Sequence, residues 1–214
     1  MTTSKTKIQL KQQQFYALLE ELSVNLIITA PTLWHDLQTA YQQPHRHYHT
    51  LQHIAECLQL FDNYRHLAEQ PLAVEFALWF HDAVYLPQRT ENEQQSAIWA
   101  TNVLQQGQVT AAITQQVYDL IIATTHHQPP QTNDEKLLVD IDLAILAAAP
   151  ARFAEYQQQI RAEYAWVAEN IYQQKRKEIL IRLYNGGDIY HHPEIKVALE
   201  LSACTNLQQV LADN

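Results

Sequence analysis

A chain of 214 residues can bury a sizeable core without help from disulfides or a structural metal, and its length suits one domain. Hydrophobic residues make up 47%, yet no run approaches the roughly 18 apolar residues of a membrane span. The formal charge of −9, with Lys175-Arg176-Lys177 as the one cationic cluster, disfavours nucleic-acid partners. The two cysteines, Cys57 and Cys204, fall in helical apolar patterns and read as free thiols in a reducing cytoplasm.

Glycine occurs only three times, β-branched alternation is scarce, and Ala, Leu, Gln and Glu dominate, so the expected fold is all-α. The polar, basic stretch Met1 to Lys11 carries no signal-peptide core, and residues 1–10 are expected to fray. Phe15, Leu18, Leu19, Leu22 and Leu26 have the spacing of a first amphipathic helix. After Pro31 a short helix carries Leu33, Trp34, Leu37 and Tyr41. Pro44 then opens a histidine-rich stretch, His45 through His53, whose helix continues to about Leu67 with Leu51, Ile54, Leu58 and Phe61 on its apolar face. Pro71 suits the first turn of the next helix, which turns Val74, Ala77, Leu78 and His81 inward. A helix from Asn92 ends near Gly107, and Thr110 caps another that runs from Ile113 to Thr125. Asn133 or Asp134 starts a helix that stops near Pro150. Helices over Arg152–Ala168 and Asn170–Tyr184 follow, Asn185-Gly186-Gly187 is a left-handed stop, and Glu194–Leu211 closes the chain. No repeat or linker divides this series, which predicts a single domain over 1–214 with about eight to ten helices.

Three places carry side chains suited to chemistry. His49 and His53 are four apart, so on a continuous helix both imidazoles project from one side. Asp82 and His81 follow the apolar run Phe76 to Phe80, and an ionisable pair buried there must be paired, cap a helix end or bind a metal. Asp140 and Asp142 sit among Leu137, Leu138, Val139, Ile141 and Leu143; being two apart, at most one faces a given side. A His, a His-Asp pair and an Asp from three apolar helices would together make a four-ligand N/O metal pocket. The aromatics Trp34, Tyr48, Phe80, Trp99 and Trp166 read as core, and His191-His192 before Pro193 as a surface turn.

The order His53, His81-Asp82, Asp resembles the signature of the HD-domain superfamily of metal-dependent phosphohydrolases. Arg46-His47-Tyr48-His49-Thr50-Leu51-Gln52-His53-Ile54, Phe80-His81-Asp82-Ala83-Val84-Tyr85 and Asn92-Glu93 with Ser96-Ala97 resemble one group within it. Ala123-Thr124-Thr125-His126-His127, Asp140 through Leu146, Ile160 through Tyr164 and Arg176 extend the likeness over nearly the whole chain. The Tyr-His-x-x-x-His string is also similar to the first signature of cyclic-nucleotide phosphodiesterases.

The resemblance implies that His53, His81, Asp82 and one later Asp hold the metal, Asp142 being preferred and Asp140 remaining open. It implies His49 as general acid, and the chemistry of such a metal site makes Asp82 a candidate bridge or orienter of the attacking water. Two imidazoles with two carboxylates suit Mn, Fe, Co, Ni or Zn better than Mg or Ca. Arg46 is the first choice for a phosphate clamp, a surface ion pair being the alternative. His126, His127 and Glu93 are candidates for a second metal or for substrate; a polar helix end accounts equally for the histidines. Arg161, Glu163 and Tyr164 read as an internal polar network. The expected activity is hydrolysis of a small phosphorylated molecule, a nucleotide being one candidate, with no membrane or nucleic-acid partner. A non-catalytic metabolite-binding regulator and a diiron oxygenase are the alternatives, and oligomeric state is left open.

Overall fold

The computed structural model describes residues 2–25 and 29–213, with the backbone alone at 2–10 and 213. The described residues form ten α-helices and no strand: α1 (Thr2–Glu21), α2 (Ala30–Tyr41), α3 (Leu51–Tyr64), α4 (Pro71–Phe80), α5 (Asn92–Gln106), α6 (Ala111–Ala123), α7 (Asn133–Asp142), α8 (Pro150–Glu163), α9 (Glu169–Asn185) and α10 (Pro193–Asp213). Short 3-10 turns at Arg65–Leu67 and Leu143–Ala147 follow α3 and α7. The expected all-α bundle is thus observed. Its start differs from expectation, because α1 begins at Thr2 and the stretch expected to fray is helical; it holds no Gly or Pro to break it. Leu26 lies outside the described residues.

The architecture centres on α4, which is apolar all round and buried from Ala73 to Phe80. A helix without a polar face belongs inside, and α1, α3, α5, α6 and α7 all pack on this one. Phe15 and Trp34 meet Trp79 edge-on at 5.2 and 5.8 Å, and the Tyr41 hydroxyl donates to the Trp79 carbonyl at 2.8 Å. One continuous core runs from Phe15 to Leu207. Glu75, the one acid on α4, is buried with Arg65 and the Gln14 amide as partners. Trp166 departs from the expected core set; it is exposed in the turn after α8.

Two features bring the chemistry-bearing positions together. Asp134, at the start of α7, accepts from the backbone N–H groups of Glu69 and Gln70 at 2.7 and 3.0 Å. That pins the N-terminal end of α7 to that of α4. The two helices are each ten residues long, so their C-terminal ends, with His81-Asp82 and Asp142, arrive at one place. A capping box of Thr132 and Glu135 fixes where α7 begins. The expected run towards Pro150 instead stops at Asp142, where the chain tightens into the 3-10 turn.

Candidate metal centre

His53 lies in the first turn of α3, His81 is the C-cap of α4, Asp82 follows it, and Asp142 ends α7. The two imidazole Nε2 atoms are 3.1 Å apart. Asp82 Oδ2 is 3.4 Å from His53 Nε2 and 3.2 Å from His81 Nε2; Asp142 Oδ1 is 3.2 and 3.5 Å from the same atoms. Ligands about 2.1 Å from one ion, at angles of about 90–110°, lie about 3.0–3.4 Å from each other. Each carboxylate, taken with the two imidazoles, therefore has the spacing of ligands around a single cation. His53, His81 and Asp82 form one group whose ligand atoms all lie within 4.8 Å of one another; His53, Cys57 and Asp142 form another.

The surroundings also favour positive charge. Burial opposes the charged forms of His53 and His81, yet Cys57, Tyr48 and the two aspartates around His53, and Asp82 and Asp142 beside His81, hold both well above the usual imidazole range. Burial pushes Asp82 and Asp142 up, and the hydrogen bonds and charge of the histidines override it, leaving both well below the carboxylate range. The C-terminal ends of α4 and α7 add the negative poles of two helix dipoles. The His81 Nδ1–H donates to the Leu78 carbonyl at 3.0 Å, which leaves Nε2 with its lone pair towards the cluster. His53 Nδ1 meets Cys57 Sγ at 3.6 Å, which orients the second ring the same way.

His49 departs from the helical reading. Thr50 is the N-cap of α3, with extended backbone and its hydroxyl accepting from the Gln52 N–H, so His49 precedes the helix. Its position is set by Glu163 at the end of α8. One carboxylate oxygen accepts from the backbone N–H groups of His47, Tyr48 and His49 at 2.8, 2.8 and 3.0 Å. The other meets His49 Nδ1 at 2.7 Å and accepts from the Tyr85 hydroxyl at 2.9 Å. The His49 ring also stacks on Tyr85, with centroids 4.1 Å apart. Burial alone would raise the Glu163 carboxyl; the His49 side chain and the loop N–H groups reverse this and hold it at about 2. Glu163 belongs to the expected polar network, but its hold on His49 is invisible at a sequence distance of 114 residues.

Arg46 is corrected from clamp to brace. Its guanidinium is buried and donates to the Gln43 side chain and to the carbonyls of His49, Asp82 and Ala83. It ties the histidine loop to the backbone of the Asp82 loop, and four of its five N–H groups are engaged in these bonds within the protein. Asn92 and Ser96 of α5 hold the same loop from the far side, bonding the backbones of Leu86 and Val84.

Asp140 is corrected too. It is fully buried and accepts from the backbone N–H groups of His191 and His192 at 2.7 to 3.0 Å, facing away from the histidine pair. Burial raises its carboxyl to about 6 against those bonds. Asp142 is the carboxylate at the cluster. His191 and His192 are accordingly half-buried rather than a free surface turn. His126 reaches the edge of the cluster, its Nε2 3.6 Å from Asp142 Oδ2, with a left-handed φ of 53° that is rare for a non-glycine residue. His127 is exposed and Glu93 sits near Tyr164, and neither joins the described cluster.

A cleft of about 570 Å³ borders the cluster, with His53, Asp142 and Tyr48 at one end and Glu56, Asn63 and Arg152 further along. Arg152 is not free to bind an anion there, since both Glu56 oxygens hold it at 2.8 and 2.9 Å. No family model, curated protein or solved structure matches the chain. The fold and the site define a class by themselves: an all-α protein in which two buried histidines and two partly buried aspartates gather ligand-type atoms beside an open cleft.

Proposed function

We propose that this protein is a metal-dependent phosphohydrolase of the HD-domain type its motifs resemble, acting on a phosphate ester of a small molecule. The observation that carries the reading is the convergence of His53, His81, Asp82 and Asp142, whose ligand atoms are 3.1 to 3.5 Å from the imidazole they face. These four residues would hold a divalent transition metal such as Mn, Fe, Co, Ni or Zn. When bound, such an ion polarises a phosphoryl oxygen and lowers the pKa of water towards about 7.

The chain's own residues supply the rest. Asp82 and Asp142, each partly exposed, orient an incoming water by accepting its hydrogens. His49 binds Glu163 through Nδ1, which leaves Nε2 to give a proton to the departing alkoxide. The Glu163 carboxylate fixes the orientation of the ring for this step. Arg46 keeps the two loops in register, so that His49 and Asp82 stay on the same side of the substrate. The nearly neutral Glu56–Arg152 pair and the apolar side chains Leu60, Ile141 and Ile145 line the space for the alcohol part.

The test is turnover of aryl phosphates and a nucleotide panel with Mn²⁺, Co²⁺ or Ni²⁺, together with metal content. The wild type is expected to carry about one ion and to hydrolyse a phosphomonoester, and His81→Ala to lose both. Absence of cleavage across the panel, with equal metal content in wild type and His81→Ala, would overturn the reading.

A further inference from the structure

A second cleft, of about 560 Å³, opens between α8, α9 and α10, and Gln157, Arg161, Tyr172, Arg176 and Asn206 line it. Arg176 lies under the Tyr156 ring, 5.2 Å from its centroid, and gives its Nε–H and an Nη2–H to Gln157 Oε1 at 3.2 and 3.1 Å. Those two bonds settle which end of the Gln157 amide is oxygen, because the reverse placement would set N–H against N–H. The amide nitrogen Nε2 is therefore a donor, and it is buried with no partner. Arg161, on the same wall, is already satisfied by Glu169 and by the carbonyls of Tyr164 and Val167.

Arg176 differs from Arg161 in its neighbours. Among the described residues no salt bridge joins it to an acid; its side chain hydrogen-bonds the Tyr156 phenol, and Tyr172 and Tyr164 lie beside it. Buried donors and buried charge are costly unless an acceptor meets them. A guanidinium and an amide N–H group beside one cavity, with no internal anion to share, make a receptor for an external one.

We propose that this cleft is a second binding site, for the carboxylate or phosphate group of a small metabolite held by Arg176 and Gln157. The claim does not depend on the reading of the metal centre. It has a route to that centre, however. Helix α8 carries Gln157 on this cleft and Glu163 on His49, and Tyr164 stands between Arg176 and Tyr85, the residue that shares Glu163 with His49.

The experiment is calorimetric titration of chelator-treated protein with inorganic phosphate and, separately, with succinate. One of the two is expected to bind at a single site, and which one does so assigns the anion as phosphate or carboxylate. Gln157→Glu gives Arg176 an internal carboxylate, so it is expected to weaken binding by at least about tenfold while keeping or raising the melting temperature. Arg176→Met should weaken it similarly; if that variant fails to fold, Gln157→Glu decides. His81→Ala should bind as the wild type does. The proposal is overturned if neither probe binds at millimolar concentration. It is equally overturned if Gln157→Glu binds like the wild type, or if His81→Ala abolishes binding.

Discussion

Replacing Glu163 with Gln isolates the charge on the residue that positions His49. The carboxylate accepts five hydrogen bonds, three from the loop backbone and two from the His49 ring and the Tyr85 hydroxyl. The amide oxygen must stay with the three backbone N–H groups, so the amide nitrogen is forced against His49 and Tyr85. A carboxyl held at about 2 rather than its ordinary 4.5 contributes about 3 kcal/mol of stability at neutral pH. The sign follows from the lowered value: the contribution is complete above the unfolded value and disappears as pH falls from about 4.5 towards about 2. Urea unfolding should therefore show Glu163→Gln about 3 kcal/mol less stable than wild type at pH 7, with the gap closing on acidification through that window. Metal content should be unchanged, while phosphatase turnover falls about 10²–10⁴-fold because the His49 ring loses the carboxylate that positions it. A gap under about 1 kcal/mol at pH 7, or one that persists unchanged at pH 3, would refute the role given to Glu163.

Arg46→Met removes a buried brace and should lower stability by about 3 kcal/mol or more, measured by denaturant titration. A variant with wild-type stability and only a raised KM would restore the phosphate-clamp role. Asp142→Asn should abolish metal binding, whereas Asp140→Asn should keep the ion and loosen the 191–192 turn, seen as faster amide exchange there; metal analysis of the pair separates the two aspartates. Removing metal with a chelator should lower the melting temperature, since an ion at 100 times its Kd stabilises the folded state by about 2.7 kcal/mol. An unchanged melt would argue against a cation at the cluster.

The sequence by itself determined the helices and most of the cluster. Apolar side chains at helical spacing name the inward face of α3 and the all-round burial of α4, because the hydrophobic effect acts on patterns that are local in the chain. Gly187 turns left-handed after α9 for an equally local backbone reason, whereas Gly107 at the end of α5 answers to a distant neighbour, since a Cβ there would run into the Val24 side chain. His53, His81 and Asp82 were legible because each sits on, or directly follows, such an apolar run. Local pattern misled at His49, where the i, i+4 spacing suggested a helical pair that the Thr50 cap forbids. Only the tertiary structure decided between Asp140 and Asp142, turned Arg46 into a brace and gave His49 its carboxylate. Those outcomes depend on which hydrogen-bond donors arrive from segments dozens of residues away. Buried polar groups take the partners that folding brings to them, and no spacing within one segment encodes that meeting.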